Sequence, residues 1–229
     1  MPKTLGGSDV LSIRLILGTV LLGLTLMLAI TISLGVSLGD PRMFFHEGSV
    51  LTWLSFLQLV MVAGFSWQLF KLQQNSSIEF DWKEPGRLWA IIAIGFLFLA
   101  FDEMFKIHET LDQLIHLILR IEETKLTDRI DDLIIGIYGL VGLLVLFRYR
   151  QELMKQKPIL PFLVAGFLFM LLMVACDMLT SQNDIISDDR VLLKFVLAED
   201  SLKLFAEAIF MVGFYHGFRQ TRIHHTLAV

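Results

Sequence analysis

The sequence predicts an all-α integral membrane protein: a polytopic bundle of six transmembrane helices, with an interfacial amphipathic helix after the third span. The chain has 229 residues, 55% of them hydrophobic, and its mean hydropathy is +0.67. Charged residues make up 18% of the chain, below the ~25% of typical soluble domains. Six apolar segments are candidates to cross ~30 Å of hydrocarbon as helices that rise ~1.5 Å per residue. Because these segments use up most of the chain, we expect one domain over residues 1–229.

The six predicted spans are joined by short polar connections. They are Ile13–Leu34, Val50–Phe70, Leu88–Phe105, Leu133–Phe147, Ile159–Leu179 and Phe195–Phe218. The first apolar segment is too long for a signal-peptide core and has no clear small-x-small cleavage pattern, so we interpret it as a retained span. Turns that contain proline or glycine, at residues 39–42, 83–87 and 156–161, lie at or just before the starts of spans.

The predicted amphipathic helix covers His108–Ile121, between the third and fourth spans. Apolar residues recur there with the three- and four-residue spacing of one helix face. They are Leu111, Leu114, Ile115, Leu117, Ile118 and Ile121. The pattern predicts a helix that lies on the membrane interface or continues the third span.

The distribution of basic residues predicts the orientation. With the N-terminus inside, the inner segments carry 11 of the 19 Lys and Arg residues and the outer segments carry seven, with Lys203 inside the sixth span. Basic residues are more frequent in cytoplasmic loops. We therefore expect a plasma or inner membrane location with both termini cytoplasmic, which also fits an even number of spans.

Acidic residues gather on the predicted outer side, which holds 17 of the 23 Asp and Glu residues. Asp102, Asp177 and Asp200 each lie near the outer end of a different span. Ionisable groups at the edge of a bilayer are costly unless they are paired, hydrated or bound to a ligand. This placement predicts that the three acids contribute to a common outer site.

Ion pairing within the helices is the alternative explanation for these charges. Lys203 lies four residues after Glu199, three after Asp200 and four before Glu207, and Lys106 lies four after Asp102. Such spacings bring opposite charges together on one helix face. One lysine cannot fully neutralise three acids, however, and Asp177 has no basic residue in its own span.

The histidines complete a candidate metal site. His46 and Glu47 precede the second span on the outer side, and His108 follows the third span. Imidazole nitrogens and carboxylate oxygens suit borderline or hard divalent metals, and a cysteine cluster is excluded because Cys176 is the only cysteine. The predicted ligands are His46, Glu47, Asp102, His108, Asp177 and Asp200. The expected cofactor is a divalent metal (zinc, iron or manganese), with calcium as an alternative.

This constellation favours a metal-dependent hydrolase that acts on a lipid-like substrate at the outer leaflet. The metal would activate a bound water, and Glu103 or Glu109 would serve as the general base. One alternative is a cation or proton transporter that uses the intramembrane groups Glu199, Lys203 and Glu207. The other is a non-catalytic metal-binding membrane subunit or sensor. The one-sided placement of the acids favours a binding or catalytic site over a channel, because a channel needs polar groups across the whole membrane.

The composition also indicates which classes of partner to expect. The expected partners are the lipid bilayer and a lipid-like or ionic substrate. The sequence is also compatible with an oligomer. The chain has no dense basic patch, so we expect no nucleic-acid partner.

Overall fold

The computed structural model describes residues 7–46, 48–74, 86–120, 130–180 and 189–228. Within these ranges the chain forms eight α-helices and no strand, which confirms the all-α prediction. The helices are α1 (Gly7–Leu38), α2 (Val50–Gln73), α3 (Arg87–Phe105), α4 (Ile107–Leu119), α5 (Ile130–Arg148), α6 (Arg150–Lys155), α7 (Leu160–Thr180) and α8 (Asp189–Ala228).

Four of the described helices are long and apolar enough to cross a membrane: α1, α2, α3 and α7. Their outward surfaces carry large exposed apolar side chains, such as Leu22, Ile94 and Leu171. Spanning helices can expose such side chains because their lateral surroundings are lipid rather than water. The prediction of a membrane protein is therefore supported by the structure.

The remaining two predicted spans fall on helices of a different character. The apolar part of α5 is shorter, at Leu133–Arg148. Helix α8 has 40 residues and contains charged residues along its first half, including Asp200, Lys203 and Glu207. The count of six spans therefore stays a prediction, as does the single domain over the whole chain.

Helix α8 lies at the centre of the bundle, packed against α7, α2 and α1. Glycines explain how closely α7 and α8 approach. A Cβ atom added at Gly213 of α8 would overlap Phe162 of α7, and one added at Gly217 would overlap Ile159. In the opposite direction, the ring of Phe210 fills the space beside Gly166 of α7. Small residues at four-residue spacing are a common way for membrane helices to pack closely.

Aromatic side chains fill the bundle beside this contact. The ring of Phe96 on α3 lies 5.8 Å from those of both Phe210 and Phe214, and Trp89 lies 6.2 Å from Phe214. Phe167 of α7 completes the group, 5.4 Å from Phe210. These are edge-to-face pairs, which are favoured by the ring quadrupoles. We call these five residues the aromatic layer.

A sharp break separates α3 from α4. Lys106 between them has a left-handed backbone conformation (φ 51°), which ends α3. Asp102 stabilises the break by accepting a hydrogen bond from the backbone N–H of His108 at 2.9 Å. Helix α4 then packs against α3 and α5. A helix in the predicted position is therefore present as a separate element, while its placement on the membrane interface stays a prediction.

Candidate functional site

An ion pair joins α3 to α8 near the end of the bundle at which α3 ends. Lys203 Nζ donates to Glu103 Oε1 at 2.8 Å, and the two side chains are 27% and 19% exposed. Glu103 reaches this point because it lies in the last turn of α3. The sequence predicted partners for Lys203 on its own helix, but its shortest described contact is with this acid, 100 residues away.

Glu207 lies one turn further along α8 and faces α2. Its side chain is almost completely buried, with 2% exposure for the residue. Ser55 Oγ donates to Glu207 Oε1 at 2.8 Å. Gln58 lies one turn after Ser55 on the same helix. With its amide turned so that the nitrogen faces Glu207, that nitrogen donates to Glu207 Oε2 at 3.2 Å and to the carbonyl oxygen of Leu204 at 3.2 Å. The carboxylate thus has hydrogen-bond donors at both oxygens, as a buried polar group requires.

Asp200 completes the group on the other side of the lysine. Asp200, Lys203 and Glu207 follow at helical spacing, and Lys203 interacts electrostatically with Glu103, Glu207 and Asp200. We call Ser55, Gln58, Glu103, Asp200, Lys203 and Glu207 the acid–lysine network. It contains three carboxyl groups and one ammonium, so it is formally negative whenever more than one carboxyl is ionised. Such a site attracts a proton or a cation.

Asp102 and His108 form a second, separate polar contact. Asp102 Oδ2 lies 2.9 Å from His108 Nδ1, and Asp102 Oδ1 accepts the His108 backbone N–H. Asp102 is buried, while His108 is partly exposed. A carboxylate on Nδ1 fixes the orientation of an imidazole and makes its Nε2 more basic, as second-shell carboxylates do for metal-ligating histidines.

Two other predicted site residues, His46 and Glu109, make their described ion-pair contacts with other partners. His46 is exposed and lies 3.4 Å from Asp40 in the turn after α1. Glu47 lies outside the described residues. Glu109 faces Lys106 at 3.4 Å.

Asp177 is half-buried in the last turn of α7. Glu199 of α8 lies close enough to Cys176 of α7 to interact with it electrostatically. Within the ranges that the structure describes, no three or more His, Cys, Asp or Glu residues form a group that could hold a metal ion. The predicted metal and its ligand set stay a prediction.

Ser55 and Gln58 are not among the site residues that the sequence predicts. Both are buried polar residues inside an apolar span, three positions apart, so they share a helix face. That spacing was the available signal. It was weak because uncharged polar residues are common in transmembrane helices and often bond within their own helix, as Ser66 does with the carbonyl of Val62.

Comparison with known proteins identifies a family for this chain. Neither the comparison with curated proteins nor the comparison with solved structures gave a match. The family model described as "Domain of unknown function (DUF8692)" matches residues 14–217, which include the acid–lysine network, the Asp102–His108 pair and the aromatic layer. The chain therefore belongs to the DUF8692 family.

Proposed function

We propose that this protein is a transporter of protons or small cations, with the acid–lysine network as its ion-binding site. The observation that carries the proposal is the position of Glu207, a carboxyl group with 2% exposure that faces another helix inside a membrane bundle. Ionisable residues within transmembrane segments are rare because they are costly, and they commonly mark ion pathways and proton relays. In this proposal α5 and α8 also span the membrane, which gives six spans and two cytoplasmic termini.

In this proposal the ion enters the network from the outer side. Glu103 and Asp200 lie closer to the end of the bundle and are partly exposed, whereas Glu207 is buried. An arriving proton or cation neutralises one carboxylate next to Lys203 and so weakens one of the ion pairs of the lysine. Lys203 can then turn toward the remaining acids, and the ion moves on to Glu207, where Ser55 and Gln58 have held the carboxylate in place.

In this proposal the aromatic layer is the barrier on the inner side. Beyond Glu207, the next residues of α8 that face the core include Phe210 and Phe214, which pack against Phe96. Buried polar side chains return only at His216 and Gln220, about 13 Å or more past Glu207 along the helix. A site that is polar on one side and closed by apolar packing on the other fits an outward-facing state of an alternating-access cycle.

The test measures ion flux into proteoliposomes of the full-length protein. A trapped pH indicator reports the change of internal pH after a proton gradient is imposed, and the measurement is repeated with Na⁺, K⁺ and Ca²⁺ gradients. We expect flux above that of empty liposomes, and Glu207→Gln should reduce it by about tenfold or more because the amide cannot exchange a proton. Glu152→Gln is the matched control, since that acid pairs with Lys155 on the short helix α6. Absence of wild-type flux for every ion, or equal flux in Glu207→Gln, would overturn the proposal.

The Asp102–His108 pair favours a second candidate, the metal-dependent hydrolase. His108 would supply one ligand to zinc, iron or manganese through Nε2, Asp102 would orient the ring, and Glu103 or Glu109 would act as the base toward a lipid-like substrate. Within the described residues no group of three or more possible ligands surrounds His108, so further ligands would have to come from elsewhere. Metal analysis of protein never exposed to chelator tests this. We expect a stoichiometric metal that is lost in His108→Ala and reduced in Asp102→Asn. Less than about a tenth of a metal ion per wild-type chain would rule the candidate out.

A further inference from the structure

A groove runs between α2 and the last part of α8, away from the acid–lysine network. Its volume is about 630 Å³. The walls are mostly apolar, formed by Met61, Phe65, Leu72 and Phe218, and the polar groups are Gln68 and Arg222. The groove therefore combines a long apolar surface with a single positive charge.

The apolar part has the length of a lipid tail. The α2 side of the groove runs from Met61 to Leu72, which is about 16 Å of helix at ~1.5 Å per residue. Gly64 lies in this wall, and the space where its side chain would be is open to at least 4 Å. The opposite wall is formed by Phe218 of α8. The ring of Phe65 holds it in place, because it stacks on the ring of Phe218 with centroids 6.1 Å apart and meets the ring of Tyr215 at 5.5 Å.

The positive end of the groove has no counter-charge among the described residues. Arg222 is exposed, and within the described ranges no carboxylate pairs with it. Its neighbour Arg219 differs, since its Nη1 donates to Ser12 Oγ on α1 at 2.9 Å. Arg222 also lies beside the end of α2, where the apolar span gives way to Lys71 and Gln73. The end of a membrane-spanning helix is the level at which lipid headgroups meet the hydrocarbon.

We propose that this groove binds one anionic phospholipid. The phosphate lies against the guanidinium of Arg222 and the amide of Gln68, and one acyl chain lies over Met61, Gly64 and Phe65. Charge complementarity selects this occupant, because Arg222 lines an apolar groove and pairs with no carboxylate of the described residues. Basic residues near the cytoplasmic surface attract anionic lipids. The inference does not depend on the transport proposal.

Native mass spectrometry of the full-length protein tests the proposal, with phosphatidylglycerol and phosphatidylcholine of the same acyl chains added in parallel. We expect wild-type protein to retain one phosphatidylglycerol in preference to phosphatidylcholine. Arg222→Gln should weaken that retention about fivefold, the effect of one basic residue near an anionic surface. Arg150→Gln is the control, because it removes an equal charge from α6, where that arginine lies over the ring of Phe147.

A second variant separates the groove from surface charge. Gly64→Leu fills the apolar wall while every charge is kept, and we expect it to abolish the retained lipid without changing the thermal midpoint by more than a few degrees. Four outcomes would overturn the proposal. They are equal retention of the two lipids, equal loss in Arg222→Gln and Arg150→Gln, displacement of the lipid by inorganic phosphate alone, and a change of oligomeric state in Gly64→Leu with no lipid in either protein.

Discussion

Replacing Lys203 with methionine should destabilise the protein far more than replacing its closest partner, Glu103, with glutamine. Lys203 is the one basic residue of a network with three carboxyl groups, so its removal leaves all of them without a positive charge. Removing Glu103 leaves the lysine with Asp200 and Glu207. The two changes break the same 2.8 Å contact but leave different groups uncompensated.

The magnitudes follow from the exposure of the pair. Breaking a fully buried ion pair costs roughly 3–5 kcal/mol, and a surface pair contributes about 0–1 kcal/mol. Lys203 and Glu103 are 27% and 19% exposed, which places them between these limits. We expect about 3 kcal/mol for Lys203→Met and about 1 kcal/mol for Glu103→Gln. The double variant should be less destabilised than the sum, with a coupling energy of about 1–2 kcal/mol.

The assay is equilibrium unfolding in mixed micelles, followed by far-ultraviolet circular dichroism for the wild type, both single variants and the double variant. The Lys155–Glu152 pair of α6 is a matched control at nearly the same distance, 2.8 Å, but its lysine is 63% exposed. Its coupling energy should stay below about 0.5 kcal/mol. Equal costs for Lys203→Met and Glu103→Gln, or a coupling no larger than that of the α6 pair, would refute the idea of one lysine shared by three acids.

Three further changes test the rest of the structure. Gly213→Val should destabilise the bundle by about 1–3 kcal/mol, because the added methyl groups collide with Phe162 of α7, and unfolding in mixed micelles measures it. Ser55→Ala should cost about 1–3 kcal/mol in the same assay, because it removes the donor from a buried carboxylate. Asp102→Asn should speed amide exchange at the start of α4, because the side chain then holds the His108 backbone and ring less strongly.

Each of these changes has its own control. Gly18→Ala on α1 adds a methyl group where nothing lies within 4 Å, so it should leave the midpoint unchanged, and a loss equal to that of Gly213→Val would contradict the packing argument. Ser37→Ala removes an exposed hydroxyl that bonds only within α1, so a cost equal to that of Ser55→Ala would remove the special role of the buried bond. For Asp102→Asn, exchange confined to α7 rather than α4 would contradict the role of Asp102 at the helix break.

The sequence predicted the helices well because their apolar runs are long and end at polar turns. Val50–Phe70 and Leu88–Phe105 match α2 and α3 to within a few residues. The helix predicted at His108–Ile121 is present as Ile107–Leu119, because its amphipathic spacing is clear. The left-handed residue that separates it from α3, Lys106, could not be predicted, since a lysine carries no turn preference.

The site was harder to predict because its contacts connect distant parts of the chain. Sequence spacing indicated pairs between Lys203 and its neighbours on α8, but it cannot show that Glu103 of α3 lies 2.8 Å away. Nor could it show that Ser55 and Gln58 of α2 face Glu207, because only the packing of α2 against α8 decides which residues meet. The central position of α8 could not be predicted either. This helix carries many charged residues, and charges are costly in the interior of a membrane bundle. Its Gly213 and Gly217 are the sequence features that permit it.

Helix α8 runs without a break from Asp189 to Ala228. At ~1.5 Å per residue this is a rod about 60 Å long, twice the thickness of the hydrocarbon. One continuous helix therefore carries Lys203, Phe210 and Arg222. A rotation that releases Lys203 from Glu103 must also turn Phe210 out of the aromatic layer and swing Arg222 relative to α2. Spin labels at the two ends of the rod should then move together, so that the state of the ion pair can be measured at the far end of the helix.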